Sequence, residues 1–284
     1  MILTKPQRTA IVTIVSNNYL HFARTMLQSA KQHHPEHALC CVIVDQDLQY
    51  AAAHSAEFEA ISYEKLGLPL GEEFLFQYNI LELNTAVKPW AISYLFERGY
   101  DQVIYVDPDI YFYKRMHEVE QLLSETSEIV LTPHLLAPIN DDKQPRELDI
   151  RRAGAYNFGF CALRCSANTR NFLRWWQSKL TRDCVNDADR GLFVDQSWID
   201  LVPGLFDNVS ILRHQGYNVA YWNIAQRQLI KLGELGYFIE QKPLIFFHFS
   251  GLDPSNAEVF SKHQTRFTLS TVDRKSTRLN SSHW

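Results

Sequence analysis

VIYVDPDIYF, residues 103–112, runs four apolar residues into two carboxylates held apart by a proline. The apolar run reads as a buried strand. Pro108 cannot donate to a ladder, so pairing ends there. In extended backbone, residues i and i+2 point to the same side, so Asp107 and Asp109 converge where the strand leaves its sheet. In open α/β sheets the ligand crevice lies beyond the carboxyl ends of the strands. Two carboxylates about 4 Å apart at an effective dielectric near 20 repel by roughly 4 kcal/mol. Either one is protonated or a cation joins them, and oxygen ligands suit Mg²⁺, Mn²⁺ or Ca²⁺. Two solvated turn aspartates remain the plain alternative, because the D-x-D tripeptide is common.

The same alternation extends outward. Residues 10–15 (AIVTIV) read as a strand, broken by Ser16-Asn17-Asn18-Tyr19. Leu20, Ala23, Leu27 and Ala30 recur at helical spacing, and residues 41–44 (CVIV) form the next strand, ending at Asp45. This β-α-β unit implies parallel pairing through a right-handed crossover. A helix opens at Pro89, closes at Gly99 and feeds the strand at 103–106. Further helices are expected near 118–123, 168–180 and 194–201, and further strands at 129–131, 156–163, 219–222 and 244–249. Residues 138–152 (PINDDKQPRELDIRR) read as a long polar loop. The pattern is a single α/β domain with a mixed, mostly parallel sheet flanked by helices.

Composition narrows the function classes. The chain has 284 residues, a hydrophobic fraction of 46% and a formal net charge of -4, which gives no basis for nucleic-acid binding. Five cysteines without C-x-x-C spacing suit reduced thiols and a cytoplasmic location. Peripheral association at the inner face of a membrane stays open, as does the oligomeric state. His33, His34 and His37 suggest a metal cluster by count, but Pro35 interrupts them, and they are expected to be solvated. Trp175 and Trp176 face different sides of their helix, one for the core and one free to border an acceptor. Residues 273–283 (DRKSTRLNSSH) resemble one reading frame of a sequencing-adapter oligonucleotide. The expected division is a domain over 1–272, with its natural C-terminus missing, and a non-native tail over 273–284.

The segments together resemble the GT-A glycosyltransferases, especially glycosyltransferase family 8 or a sister bacterial family. Residues 11–19 (IVTIVSNNY) resemble the strand and loop that cradle the nucleoside. Residues 85–90 (TAVKPW) resemble the segment before the D-x-D helix, Tyr156-Asn157-Phe158-Gly159 the F-N-x-G strand, Asp195-Gln196 the D-Q pair, and residues 247–251 (FHFSG) the late H-x-x-G segment. The resemblance covers about residues 10–254 and implies a GT-A fold. It implies metal ligation by Asp107, Asp109 and His248, and donor binding by Asn18, Asp45, Lys88 and Asn157. It places Asp195 and Gln196 beside the transferred sugar as the catalytic pair. The implied cofactor is Mn²⁺ or Mg²⁺. The implied partners are a nucleotide-diphosphate sugar, UDP-sugar foremost, and a glycan or other hydroxyl acceptor. The implied reaction is hexosyl transfer, retaining, in bacterial polysaccharide or glycan synthesis. A non-catalytic nucleotide- or glycan-binding protein on the same fold is the alternative. One departure stands out: Leu252-Asp253-Pro254 replaces the family's K-P-W, which puts the lysine contact to the diphosphate in doubt.

Overall fold

The computed structural model describes residues 7–45, 57–252, 256 and 259–268. The proposed tail at 273–284, with Asp253 and Pro254, lies outside them. The strands are β1 Thr9–Val15, β2 Ala38–Ile43, β3 Glu59–Ser62, β4 Gln102–Val106, β5 Ile110–Phe112, β6 Ile129–Pro133 and β7 Tyr156–Arg164. Then follow β8 Asn186–Asp187, β9 Leu192–Phe193, β10 Val209–Ile211, β11 Val219–Ala220, β12 Leu229–Lys231, β13 Tyr237–Ile239, β14 Lys242–Pro243 and β15 Phe246–His248. Seven strands form the main sheet in the order β10-β6-β7-β4-β1-β2-β3. β7 runs antiparallel to both its neighbours, and the other pairs are parallel. The chain therefore has the expected mixed, mostly parallel α/β sheet.

Period-two alternation sorts the strand residues onto two cores. Ala10, Val12 and Ile14 of β1, with Val103 and Tyr105 of β4, face the helices Lys88–Glu97 and Ala167–Leu180. Ile11 and Val15, with Ile104 and Val106, face the helices Leu20–His33 and His117–Glu125. Pro89 sits in the first turn of its helix and Gly99 takes φ +81° just past its end, as the sequence suggests. Ser166 caps the helix at Ala167 by accepting from Thr169 N.

Four expectations need correcting. Residues 138–152 are not all loop, since Glu147–Ala153 is helical, with its N-terminal turn closed by Asp149 on Arg146 N. The helix expected over 194–201 is a 3-10 turn, Ser197–Leu201. His34 and His37 are buried, not solvated: His34 Nδ1 faces Ala30 O and Met116 N donates to its Nε2. His37, Glu36 and Glu120 converge as metal-binding groups can, but the Arg115 guanidinium fills the space, paired to both glutamates. Trp176 stacks on Phe172 in the core, while Trp175 packs on Phe206 and Trp198 and lines neither of the two clefts described below. No helix among the described residues is long and apolar enough to cross a membrane.

Candidate active site

A second, small sheet builds the site. β5 pairs antiparallel with β15, and β15 pairs parallel with β11. The register sets His248 opposite Ile110, and Phe249 N donates to Asp109 O (2.8 Å). The D-x-D turn is closed by Ile110 N on Asp107 O (3.2 Å), and Asp107 N extends the main sheet by donating to Gly159 O (2.7 Å). The two sheets thus meet at Asp107 and Asp109.

His248 Nε2 lies 3.0 Å from Asp109 Oδ1 and 3.8 Å from Asp107 Oδ2. One ligand atom from each of the three residues falls within 4.8 Å of the others. Burial would raise the Asp109 pKa, but the adjacent His248 outweighs it and holds the carboxyl below its usual range. Burial would lower His248, and Asp109 reverses that and raises it. The imidazole therefore offsets the charge of Asp109. Two carboxylate oxygens and one imidazole nitrogen suit Mn²⁺ or Mg²⁺, so the donor set fits a divalent cation. Gly159 makes room for it: a Cβ there would lie 2.5 Å from His248 Cε1 and 2.6 Å from Asp107 Oδ2.

Behind the aspartates lies a buried ion pair. Lys88 Nζ is 2.9 Å from Asp195 Oδ2 and 3.7 Å from Asp107 Oδ1, donates to Phe158 O (3.1 Å) and sits 4.5 Å above the Tyr105 ring. Burial opposes its charge, yet the two aspartates raise its pKa. Burial pushes Asp195 up to about 6, with Lys88 pulling the other way. Lys88, read from sequence as a donor contact, spends its charge in this structure on two carboxylates. That explains a cation in the first turn of a helix, where the dipole disfavours one. Tyr105 donates to Asp107 Oδ1 (2.6 Å).

Gln196 accepts from Phe158 N (2.8 Å) and donates to Ala153 O (2.7 Å). Asn157 accepts from Gly159 N (3.2 Å), and its amide nitrogen lies 3.4 Å from Gln196 Oε1. The sequence-selected residues Lys88, Asp107, Asp109, Asn157, Asp195, Gln196 and His248 thus share one polar network.

In front of this network opens a cleft of about 370 Å³, bordered by Asp107 and Asp109, by Asn18 and Tyr19 of the β1 loop, and by Lys262 and His263. Asp45 does not border it; its carboxylate receives Asn17 N and fastens that loop from behind. A larger cleft of about 550 Å³, around Leu136, Tyr156 and Arg213, contains neither aspartate of the D-x-D turn. Sequence reading missed Lys262 and His263. They follow Gly251, whose O accepts from Lys262 N (3.1 Å), on a segment pinned to the 138–152 region by Arg266, which grips Asp141 through both carboxylate oxygens (2.6 and 2.8 Å). A lysine beyond the H-x-x-G segment was the only signal.

These features define the GT-A glycosyltransferase fold. The galactosyltransferase LgtC, solved with donor and acceptor sugar analogs, superposes with a TM-score of 0.53 at 14% identity, covering 96% of this chain and 95% of that one. An active-site mutant of LgtC matches equally. No protein-family model matches the chain. Two proteins of Bacillus subtilis (strain 168), both described only as uncharacterized, are similar in sequence. YfnF is 28% identical over 151 residues, 53% of this chain and half of its own length. YfnD is 25% identical over 256 residues, 84% of this chain and 76% of its own length.

Proposed function

We propose that the protein is a metal-dependent glycosyltransferase that moves a sugar from a nucleotide diphosphate to a hydroxyl acceptor. The convergence of Asp107, Asp109 and His248 at the lip of a cleft carries this reading. Asp107, Asp109 and His248 would hold a divalent cation, which offsets the charge that develops on a diphosphate leaving group. Asn18 and Tyr19 would meet the nucleoside. Lys262 borders the same cleft and would supply the cationic contact that Leu252-Asp253-Pro254 does not. Lys88 keeps Asp195 ionised and in place, so Asp195 would offer an acceptor to the sugar, with Gln196 and Asn157 shaping the strand beside it.

Asp195 is tied to Lys88 and so is poorly placed as a free base. That favours retention, with the leaving phosphate taking the acceptor's proton. The relatives from Bacillus and the fold favour a bacterial glycan as product, and the family resemblance favours a UDP-sugar as donor.

Calorimetric titration of UDP, GDP, dTDP and CDP, with and without Mn²⁺, tests the proposal. One nucleotide should bind tightly only with metal, and its sugar conjugate should be slowly hydrolysed. Asp109→Asn should abolish the metal dependence in a folded chain. Binding without any hydrolysis would point to a non-catalytic binder, and metal-independent binding would remove the role given to Asp107 and Asp109.

A further inference from the structure

The cleft of about 550 Å³ takes no part in the chemistry described so far. It opens where β6 ends, β7 begins and β10 ends, with the helix Glu147–Ala153 along one side. Its frame is bonded together. Pro133 pairs with Tyr156, His134 N donates to Ala155 O (3.0 Å), and Ile139 N donates to Glu147 Oε1 (3.0 Å).

Four charged side chains line this cleft, Arg151 and Arg213 against Glu147 and Asp200. Among the described residues, none of the four forms an ion pair, with one another or elsewhere. Backbone bonds hold the carboxylates back: Glu147 receives Ile139 N, and Asp200 Oδ1 receives Ala155 N (2.8 Å). The two guanidiniums are exposed and have no hydrogen-bond partner among the described residues. Two groups that only donate and two that only accept therefore border one space without satisfying each other. Apolar surface lies in the same cleft, at Leu136, Ile150 and Tyr156. Burial raises the Tyr156 pKa, Asp200 adds to that and Arg213 opposes it, so the ring stands close to both charges.

An anion would meet two carboxylates here, and a cation two guanidiniums. A neutral polyhydroxyl ligand meets neither difficulty, because each hydroxyl both donates and accepts. Sugar rings also carry C–H faces that pack on apolar and aromatic side chains. The volume falls within the range of about 300–1,000 Å³ usual for small-molecule sites.

We propose that this cleft holds a neutral oligosaccharide, with Arg151 and Arg213 donating to its hydroxyls and Glu147 and Asp200 accepting from them. Only backbone separates it from the candidate catalytic residues. A Cβ at Gly154 would lie 3.5 Å from Asp200 Oδ1 and 3.4 Å from Gln196 Cγ, and Gln196 Nε2 donates to Ala153 O (2.7 Å). The bound glycan is then a distal part of the acceptor or product chain, held while its end reacts. That assignment rests on the glycosyltransferase reading above; the binding itself does not.

The test is an array of oligosaccharides, neutral and uronic, probed with the full chain in EDTA. Chelation keeps a metal–donor complex from forming at Asp107 and Asp109. Neutral oligosaccharides should bind. Arg151→Ala and Arg213→Ala change exposed side chains without partners, so both variants should fold and keep the parent's affinity for Mn²⁺. Each should weaken glycan binding about tenfold, and the double variant should abolish it. Binding to no neutral glycan, binding to uronic glycans alone, or binding that survives in the double variant overturns the proposal. Neutral-glycan binding in a chain that takes up no nucleotide with Mn²⁺ supports the cleft and removes the acceptor assignment instead.

Discussion

Gly159→Ala is the sharpest single perturbation of this site. The new methyl would lie 2.5 Å from His248 Cε1, 2.6 Å from Asp107 Oδ2 and 3.0 Å from Asn157 Oδ1. Ordinary contact needs about 3.5 Å, so His248 and Asp107 must each yield by about 1 Å. Both are held: His248 by its ladder with β5, Asp107 by Tyr105 and by Gly159 O. Forcing a methyl into such packing costs about 1–3 kcal/mol of stability. Metal–ligand distances tolerate only about 0.2 Å, so a displacement several times larger should weaken Mn²⁺ binding at least tenfold, about 1.4 kcal/mol. Urea denaturation and Mn²⁺ calorimetry on the same sample read both effects. A variant that binds Mn²⁺ as tightly as the parent would show that the ligands move freely, and the reasoning from close packing would fail.

Lys88→Met leaves Asp195 buried without its counter-charge and should cost about 3–5 kcal/mol in denaturant titration. Adding Asp195→Asn should recover part of that, and no recovery would refute the pairing. Burial lowers the His34 pKa from 6.5 to about 4, so the unfolded chain takes up a proton below about 6.5 that the folded chain refuses until about 4. Stability should therefore fall by about 2 kcal/mol from this group between pH 7 and pH 5, and His34→Gln should flatten that slope in urea midpoints. Lys262→Ala should weaken binding of the preferred nucleoside diphosphate about tenfold in the presence of Mn²⁺ while leaving Mn²⁺ affinity alone unchanged. Equal nucleotide affinity would dismiss Lys262 as a phosphate contact.

Much of the fold was legible because its signals are local. β1, the helix after it and β4 show their period in the residues themselves, and Pro89 and Gly99 mark a helix at both ends. The D-x-D pair was legible as a strand exit for the same reason. Three-residue strands such as β5 carry no period of their own, so the second sheet was not foreseen even though His248 was. The helix Glu147–Ala153 hides in a polar stretch, because its stability comes from capping and ion pairs more than from an apolar face. The partnership of Lys88 with Asp195 is purely tertiary, since neither residue hints at the other along the chain.

The ladder between β5 and β15 also bears on the order in which the protein becomes competent. Among the described residues, β5 has no ladder partner but β15, which comes late in the chain. A nascent chain on the ribosome could assemble all seven strands of the main sheet, through β10, and still lack a site. His248 must emerge and dock before the carboxylates gain their counterpart. Cation and nucleotide would then bind finished molecules in preference to partial ones, and in doing so would draw the β15 segment into place.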